Sequence, residues 1–147
     1  MKLHFRILLI SLLFLTVGSV HAQKGFTQVS LAEHKIVMQL TSSDPQVWKS
    51  LIKQLSNLKN GWKDSAMIEV VCHGPGLDFL TVGKSTVVDD ISVLFQRGVS
   101  FVACENTMRE RNVSRESILP NTNFVLMGIA EIVVKQEQGW AYIKAGF

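Results

Sequence analysis

Cys104 closes an apolar run, Phe101-Val102-Ala103-Cys104, that gives way at once to the polar, helix-compatible Glu105-Asn106-Thr107-Met108. A thiol at a strand-to-helix junction meets the free N–H groups of the first helical turn and the positive end of its dipole, and both favour thiolate over thiol. The chemistry open to it is nucleophilic. Arg109 or Arg111 would strengthen the effect by folding back over the sulfur. Glu105 opposes it unless its carboxylate points to solvent or serves the helix start. The competing reading makes Cys104 a small buried hydrophobe, as free cysteines commonly are.

His73, the Gly74-Pro75-Gly76 turn and Cys72 bear on the same chemistry. His73 is either a proton donor or thiolate partner or a loop histidine that shapes the Gly74-Pro75-Gly76 turn. That turn offers backbone N–H groups for an anion, although it matches neither a dinucleotide fingerprint nor a P-loop. Gly74 and Gly76 are therefore counted as binding residues together with Glu105, Asn106 and Arg111. Cys72 reads as a buried strand residue, a resolving thiol or a disulfide partner. No metal is expected, because adjacent residues such as Cys72 and His73 point in opposite directions on an extended chain and no fourth ligand is suitably spaced. No cofactor is expected either. The chain has no Gly-x-Ser-x-Gly elbow for a serine hydrolase, and Asn112-Val113-Ser114 is treated as a chance sequon.

The elements that must position these residues alternate. His34–Leu40 reads as a first strand, and Asp44 or Ser43 caps a helix that starts at Pro45 and ends near Leu58, before Asn60-Gly61. Ala66–Cys72 is the second strand. After a short turn over Leu77–Val82, a helix over Thr86–Arg97 turns Val88, Ile91, Leu94 and Phe95 inward. The third strand is Ser100–Cys104, followed by a polar helix from Asn106 to about Asn112. The fourth strand, Thr122–Met127, leads to a helix over Ile129–Gln138 with Ile129, Ile132, Val133 and Gln136 on one side, and Trp140–Lys144 closes the chain as a strand. Parallel strands need crossover helices, so the pattern predicts a single three-layer α/β/α domain with a mainly parallel sheet of about five strands covered on both faces, flavodoxin-like in appearance. Ligands of such sheets bind beyond the carboxyl ends of the strands. On that rim the sequence places Thr41–Asp44, His73–Gly76, Cys104–Met108 and Met127-Gly128, and with them both cysteines.

Composition sets the remaining bounds. Lys2 and Arg6 precede the apolar stretch Ile7–Val17 and then Val20-His21-Ala22, the layout of a secretory signal peptide with cleavage after Ala22. The apolar stretch is shorter than the about 20 residues of a membrane span. The expected organisation is therefore a signal peptide over residues 1–22, a flexible polar arm over 23–33 and one α/β domain over 34–147, located in the periplasm or secreted. Without residues 1–22 the Lys and Arg count falls from 15 to 13 against 12 acids, a net charge of +1. These charges are scattered among one another, so no nucleic-acid partner is expected.

The runs Val71-Cys72-His73-Gly74-Pro75-Gly76-Leu77, Gly98 through Met108, and Gly128-Ile129-Ala130-Glu131-Ile132 through Gln136-Glu137-Gln138-Gly139-Trp140-Ala141-Tyr142-Ile143 resemble the DsrE/DsrF-like family, in order and at compatible spacing over most of residues 34–146. The resemblance implies a three-layer α/β fold assembled as homotrimers or hexamers, and a cysteine that carries sulfur as a persulfide. That cysteine follows a strand and precedes a helix, the place of Cys104. Arg111 falls where such members often have a basic residue. The implied partners are further copies of the chain together with sulfur donor and acceptor proteins or small sulfur compounds. Sulfur-relay members are cytoplasmic, whereas this chain reads as exported. Two alternatives stand beside sulfur carriage: a non-catalytic oligomeric module that binds a small anion or a protein, and a thiol redox protein using Cys72 and Cys104, which requires their strands to be neighbours. Trp140, Tyr142, Ile143 and Phe147 form an apolar cluster that either caps the core of the single chain or, as the resemblance implies, lies in a subunit interface.

Overall fold

The computed structural model describes residues 33–146; the expected signal peptide, residues 23–32 of the arm and Phe147 lie outside the described residues. Strand β1 (His34–Leu40) leads to Asp44, whose Oδ1 accepts the Gln46 N–H at 2.8 Å and so caps helix α1 (Pro45–Trp62), with Pro45 in its first turn. The helix does not stop at Asn60-Gly61. Lys59 is buried and donates from Nζ to Ala66 O at 3.1 Å, and Trp62 stacks on His34 with ring centroids 4.0 Å apart. These contacts outweigh the about 1 kcal/mol that Gly61 costs inside a helix. Termination falls instead to Lys63 at φ 48°.

Strand β2 (Ala66–Cys72) runs into a 3₁₀ segment, Gly74–Leu80, which begins three residues earlier than the spacing suggested. Helix α2 (Val88–Gln96) buries Ile91 and Leu94 but leaves Val88 and Phe95 partly exposed, contrary to the expected inward face. Strand β3 (Val99–Cys104), helix α3 (Glu105–Glu110), the short strand β4 (Asn123–Val125), helix α4 (Gly128–Glu137) and strand β5 (Ala141–Ala145) complete the order. No helix among the described residues is long and apolar enough to cross a membrane.

All four strand pairings are parallel, and the sheet order is β4-β3-β2-β1-β5. From β1 to β4 the chain steps steadily one way, so right-handed crossovers place α1, α2 and α3 on one face. The last crossover returns across the whole sheet to β5 and puts α4 on the other. The packing agrees: Met38, Leu40, Val70, Phe101 and Ala103 form the larger core with Trp48, Leu55, Leu94 and Met108, whereas Val37, Val71 and Val102 meet Ile132 of α4. Among the described residues α4 alone covers this second face. It cannot span the sheet, so of the side that Ile129, Ile132, Val133 and Gln136 share only Ile132 is buried, and Ile129, Val133 and Val134 stay exposed.

Candidate functional site

Adjacent strands whose onward connections leave to opposite faces open a crevice at their carboxyl ends. In this sheet those strands are β3, which continues into α3, and β4, which continues into α4 on the other face. Cys104 ends β3 and is the N-cap of α3, with extended backbone at φ −82° and ψ 114°. Its Sγ accepts the N–H of Gly128, the first residue of α4, at 3.2 Å. The sulfur therefore sits between the starts of two helices.

Cys104 is only 4% exposed, and burial by itself raises its pKa; the Thr107 and Gly128 N–H groups, the Thr107 hydroxyl and the Asn106 N–H outweigh that and bring the thiol below its usual range. The Asn106 N–H is also given to Leu126 O at 3.1 Å, which ties α3 to the segment entering α4. Among the described residues, the groups that lower the thiol are backbone N–H groups and one hydroxyl, not charged side chains. This corrects the expectation for Arg109 and Arg111. Arg111 does fold back, but onto Gly74 O and Asp78, each at 3.0 Å, while Arg109 donates to Asn106 Oδ1. Glu105 pairs with Arg115 at the surface.

Thr107 and Gly128, which the sequence places on the rim without assigning them a role, both bear on the sulfur. The Thr107 side chain is buried, and its Oγ1 accepts the Gly74 N–H at 3.0 Å, which leaves its own proton for the sulfur. The signal was present: Thr107 stands three residues after the N-cap, the spacing at which a side chain reaches back in a capping box. Gly128 lies so close to the sheet that a Cβ there would come within 3.2–3.3 Å of Val71 Cγ1, Cys104 Cβ and His73 Cβ. Absence of a side chain lets the start of α4 reach the sulfur.

The Gly-Pro-Gly turn does not present an anion cradle. Gly74, at φ +53°, spends its N–H on Thr107, Gly76 gives its own to His73 O at 3.1 Å, and Pro75 has none. Gly76 is required for another reason, since a Cβ would lie 2.2 Å from Leu40 O. His73 is half-buried on the α4 face beside Cys104, with its Nε2 2.7 Å from Gln39 Nε2; burial lowers its pKa.

Cys72 shares the rim in sequence but not in space. It is fully buried in the larger core, on the face opposite Cys104, and burial pushes its thiol well above the usual range. Strands β2 and β3 are neighbours, as a Cys72–Cys104 redox pair requires, with Cys72 in register with Ala103. The side chains leave opposite faces, however, and both cysteines are free. Among the described residues no three His, Cys, Asp or Glu side chains gather as metal ligands.

The sequence pattern of the DsrE/DsrF-like family matches residues 34–145, from the first residue of β1 to the last of β5. The chain belongs to the DsrE/DsrF-like family. Its fold is similar to that of a protein of unknown function from Methanobacterium thermoautotrophicum, with a TM-score of 0.72 and 32% identity over 76% of this chain and 98% of that one. A second protein of unknown function, from Bacteroides thetaiotaomicron, shares the fold at a TM-score of 0.60 and 22% identity, over 75% of this chain and 93% of its own. No curated protein matches. The family match includes both strands that open the crevice and both helices whose starts meet at Cys104.

Proposed function

We propose that this protein is a sulfur carrier in which Cys104 holds sulfur as a persulfide. The observation that carries the reading is the position of the Cys104 sulfur between the starts of α3 and α4, where the Gly128 N–H donates to it at 3.2 Å. Family membership is consistent with it. In the loading step the Cys104 thiolate attacks the outer sulfur of a donor R–S–S⁻; the donor S–S bond breaks, R–S⁻ leaves with its electron pair, and Cys104–S–S⁻ remains. With thiosulfate the leaving group is sulfite. An acceptor thiolate then attacks the outer sulfur and releases Cys104 as thiolate, so no external oxidant or reductant enters. Cys72, on the far face, takes no part.

On this reading the protein is exported, with a cleaved segment over residues 1–22, and works as a homotrimer or hexamer that receives sulfur from one partner and passes it to another. The apolar residues Leu126 and Met127, exposed in the segment that enters α4 at Cys104, with Ile129 and Val133 exposed farther along that helix, support an interface at the site. The near-complete burial of Cys104 favours a second reading, an oligomeric binding module with an unreactive thiol. Mass measurement separates the two. After incubation of the reduced protein with thiosulfate or polysulfide, sulfur-sized increments are expected on the wild type and not on Cys104→Ser. Increments that persist undiminished in C104S, or a wild type that gains none, overturn the carrier reading.

A further inference from the structure

Across the α4 face, polar side chains form a row over three neighbouring strands that leads to Cys104 on the fourth. Tyr142 of β5 donates its hydroxyl to Gln39 Oε1 of β1, and Gln39 Nε2 lies 2.7 Å from Nε2 of His73, which follows β2. Next to His73, at the end of β3, comes Cys104, with Gly128 packed against the Cβ of both. A primary amide nitrogen carries only donors, so the ring nitrogen that faces it must supply a lone pair. In a neutral imidazole the proton then resides on Nδ1.

We propose that Gln39 and Tyr142 are positioning residues that hold His73 as its Nδ1–H tautomer, so that His73 meets whatever Cys104 carries as a hydrogen-bond donor and not as a base. In the arrangement observed, Tyr142 donates to Oε1 and the NH₂ group of Gln39 faces His73. Burial of His73 acts in the same sense, since it disfavours the imidazolium. The consequence for sulfur handling rests on the carrier reading, whereas the tautomer does not. A His73 whose Nε2 is occupied and whose Nδ1 is protonated cannot deprotonate an incoming thiol. The acceptor must therefore arrive as a thiolate, which selects partners with acidic cysteines, and the donated Nδ1–H favours the anionic outer sulfur of a persulfide.

Two-bond ¹H–¹⁵N correlation spectra of the ¹⁵N-labelled protein at neutral pH report the tautomer directly, with the His73 signals identified by their loss in His73→Asn. Wild type is expected to show a protonated Nδ1 and an unprotonated Nε2. Gln39→Glu, whose carboxylate can only accept, is expected to move the proton to Nε2, and Tyr142→Phe to give a mixture. An Nε2–H ring or an imidazolium in the wild type overturns the proposal, as does a tautomer unchanged in Q39E. Where persulfide forms, its transfer to small thiols of graded acidity is expected to follow their thiolate fraction in the wild type and to lose that dependence in part in Q39E. A protein that shows the tautomer but never loads sulfur refutes the carrier reading and leaves the assignment of Gln39 and Tyr142 intact.

Discussion

Replacing Thr107 by valine tests the account of Cys104 most directly, because it deletes one donor to the sulfur and keeps the volume of the buried side chain. The Thr107 hydroxyl accepts the Gly74 N–H at 3.0 Å, which leaves its own proton to favour the Cys104 thiolate. A hydrogen bond to a charged acceptor contributes about 1.5–3 kcal/mol. At the lower end, about 1.5 kcal/mol corresponds to a roughly ten-fold smaller thiolate fraction at any pH below the wild-type midpoint. The rate falls less than that. Intrinsic nucleophilicity rises with thiol basicity at a Brønsted slope of about 0.4–0.5, so reaction with an aromatic disulfide reagent slows by only about three-fold at low pH and quickens by about three-fold where both thiols are fully ionised. The pH–rate curves of wild type and T107V are thus expected to cross, with the variant's midpoint on the alkaline side. Thr107→Ser keeps the hydroxyl and should follow the wild type. The valine variant also leaves the Gly74 N–H without its partner, a loss of about 1–3 kcal/mol, and a thermal melt shows whether it remains folded under assay conditions. Superimposable profiles for folded wild type and T107V, or an equal shift in T107S, refute the assignment of the hydroxyl.

Gly128→Ala brings a Cβ within 3.2–3.3 Å of Val71, Cys104 and His73; overpacking of this kind costs about 1–3 kcal/mol, and the melting temperature should fall while the Cys104 midpoint rises as the Gly128 N–H withdraws from Sγ. A variant with lowered stability and an unmoved midpoint counts against that N–H as a donor. Thiol counting should find Cys104 alone reactive in the native protein and both cysteines after denaturation, since Cys72 is fully buried and faces the other core; fast native labelling of two thiols contradicts this. Burial raises the Glu69 carboxyl, with Lys135 pulling the other way. A folded pKa above the unfolded one means that the stability contribution is full below the unfolded pKa and is lost as pH rises through the folded one. Glu69→Gln should therefore gain stability relative to wild type as pH rises from the ordinary glutamate pKa through the raised folded one, and a difference in melting temperature that stays constant from acid to neutral pH refutes it.

How far the fold was readable in the residues depends on what each element answers to. The limits of β1 and β2 are evident because their apolar runs stop at Thr41-Ser42-Ser43-Asp44-Pro45 and at His73-Gly74-Pro75, where local chemistry decides. The face that each side chain takes is not evident. Strands buried on both sides read as unbroken apolar runs without alternation, so Cys72 and Cys104 look equivalent until the sheet order separates them. Helix α1 outlasts its Asn60-Gly61 stop through Lys59 and Trp62, contacts that arise only once β1 and β2 are paired. Arg111 has the same lesson: its carboxylate partner, Asp78, stands 33 residues away, and a basic residue near a thiol in sequence became a strut for the Gly74–Leu80 segment. Thr107 was within reach, as a hydroxyl three residues after the cap.

Gly128 supplies one of the bonds that favour the Cys104 thiolate and, from the same position, packs against a residue that is 4% exposed. Shelter and activation thus come from one atom group and cannot be varied separately. A movement of α4 that admits a reagent also removes a donor and raises the basicity of the sulfur it uncovers. Acidity and access at this sulfur are thus opposed: any displacement of the start of α4 would trade the Gly128 hydrogen bond for exposure, leaving a more basic thiol whose anion is scarcer and individually more nucleophilic.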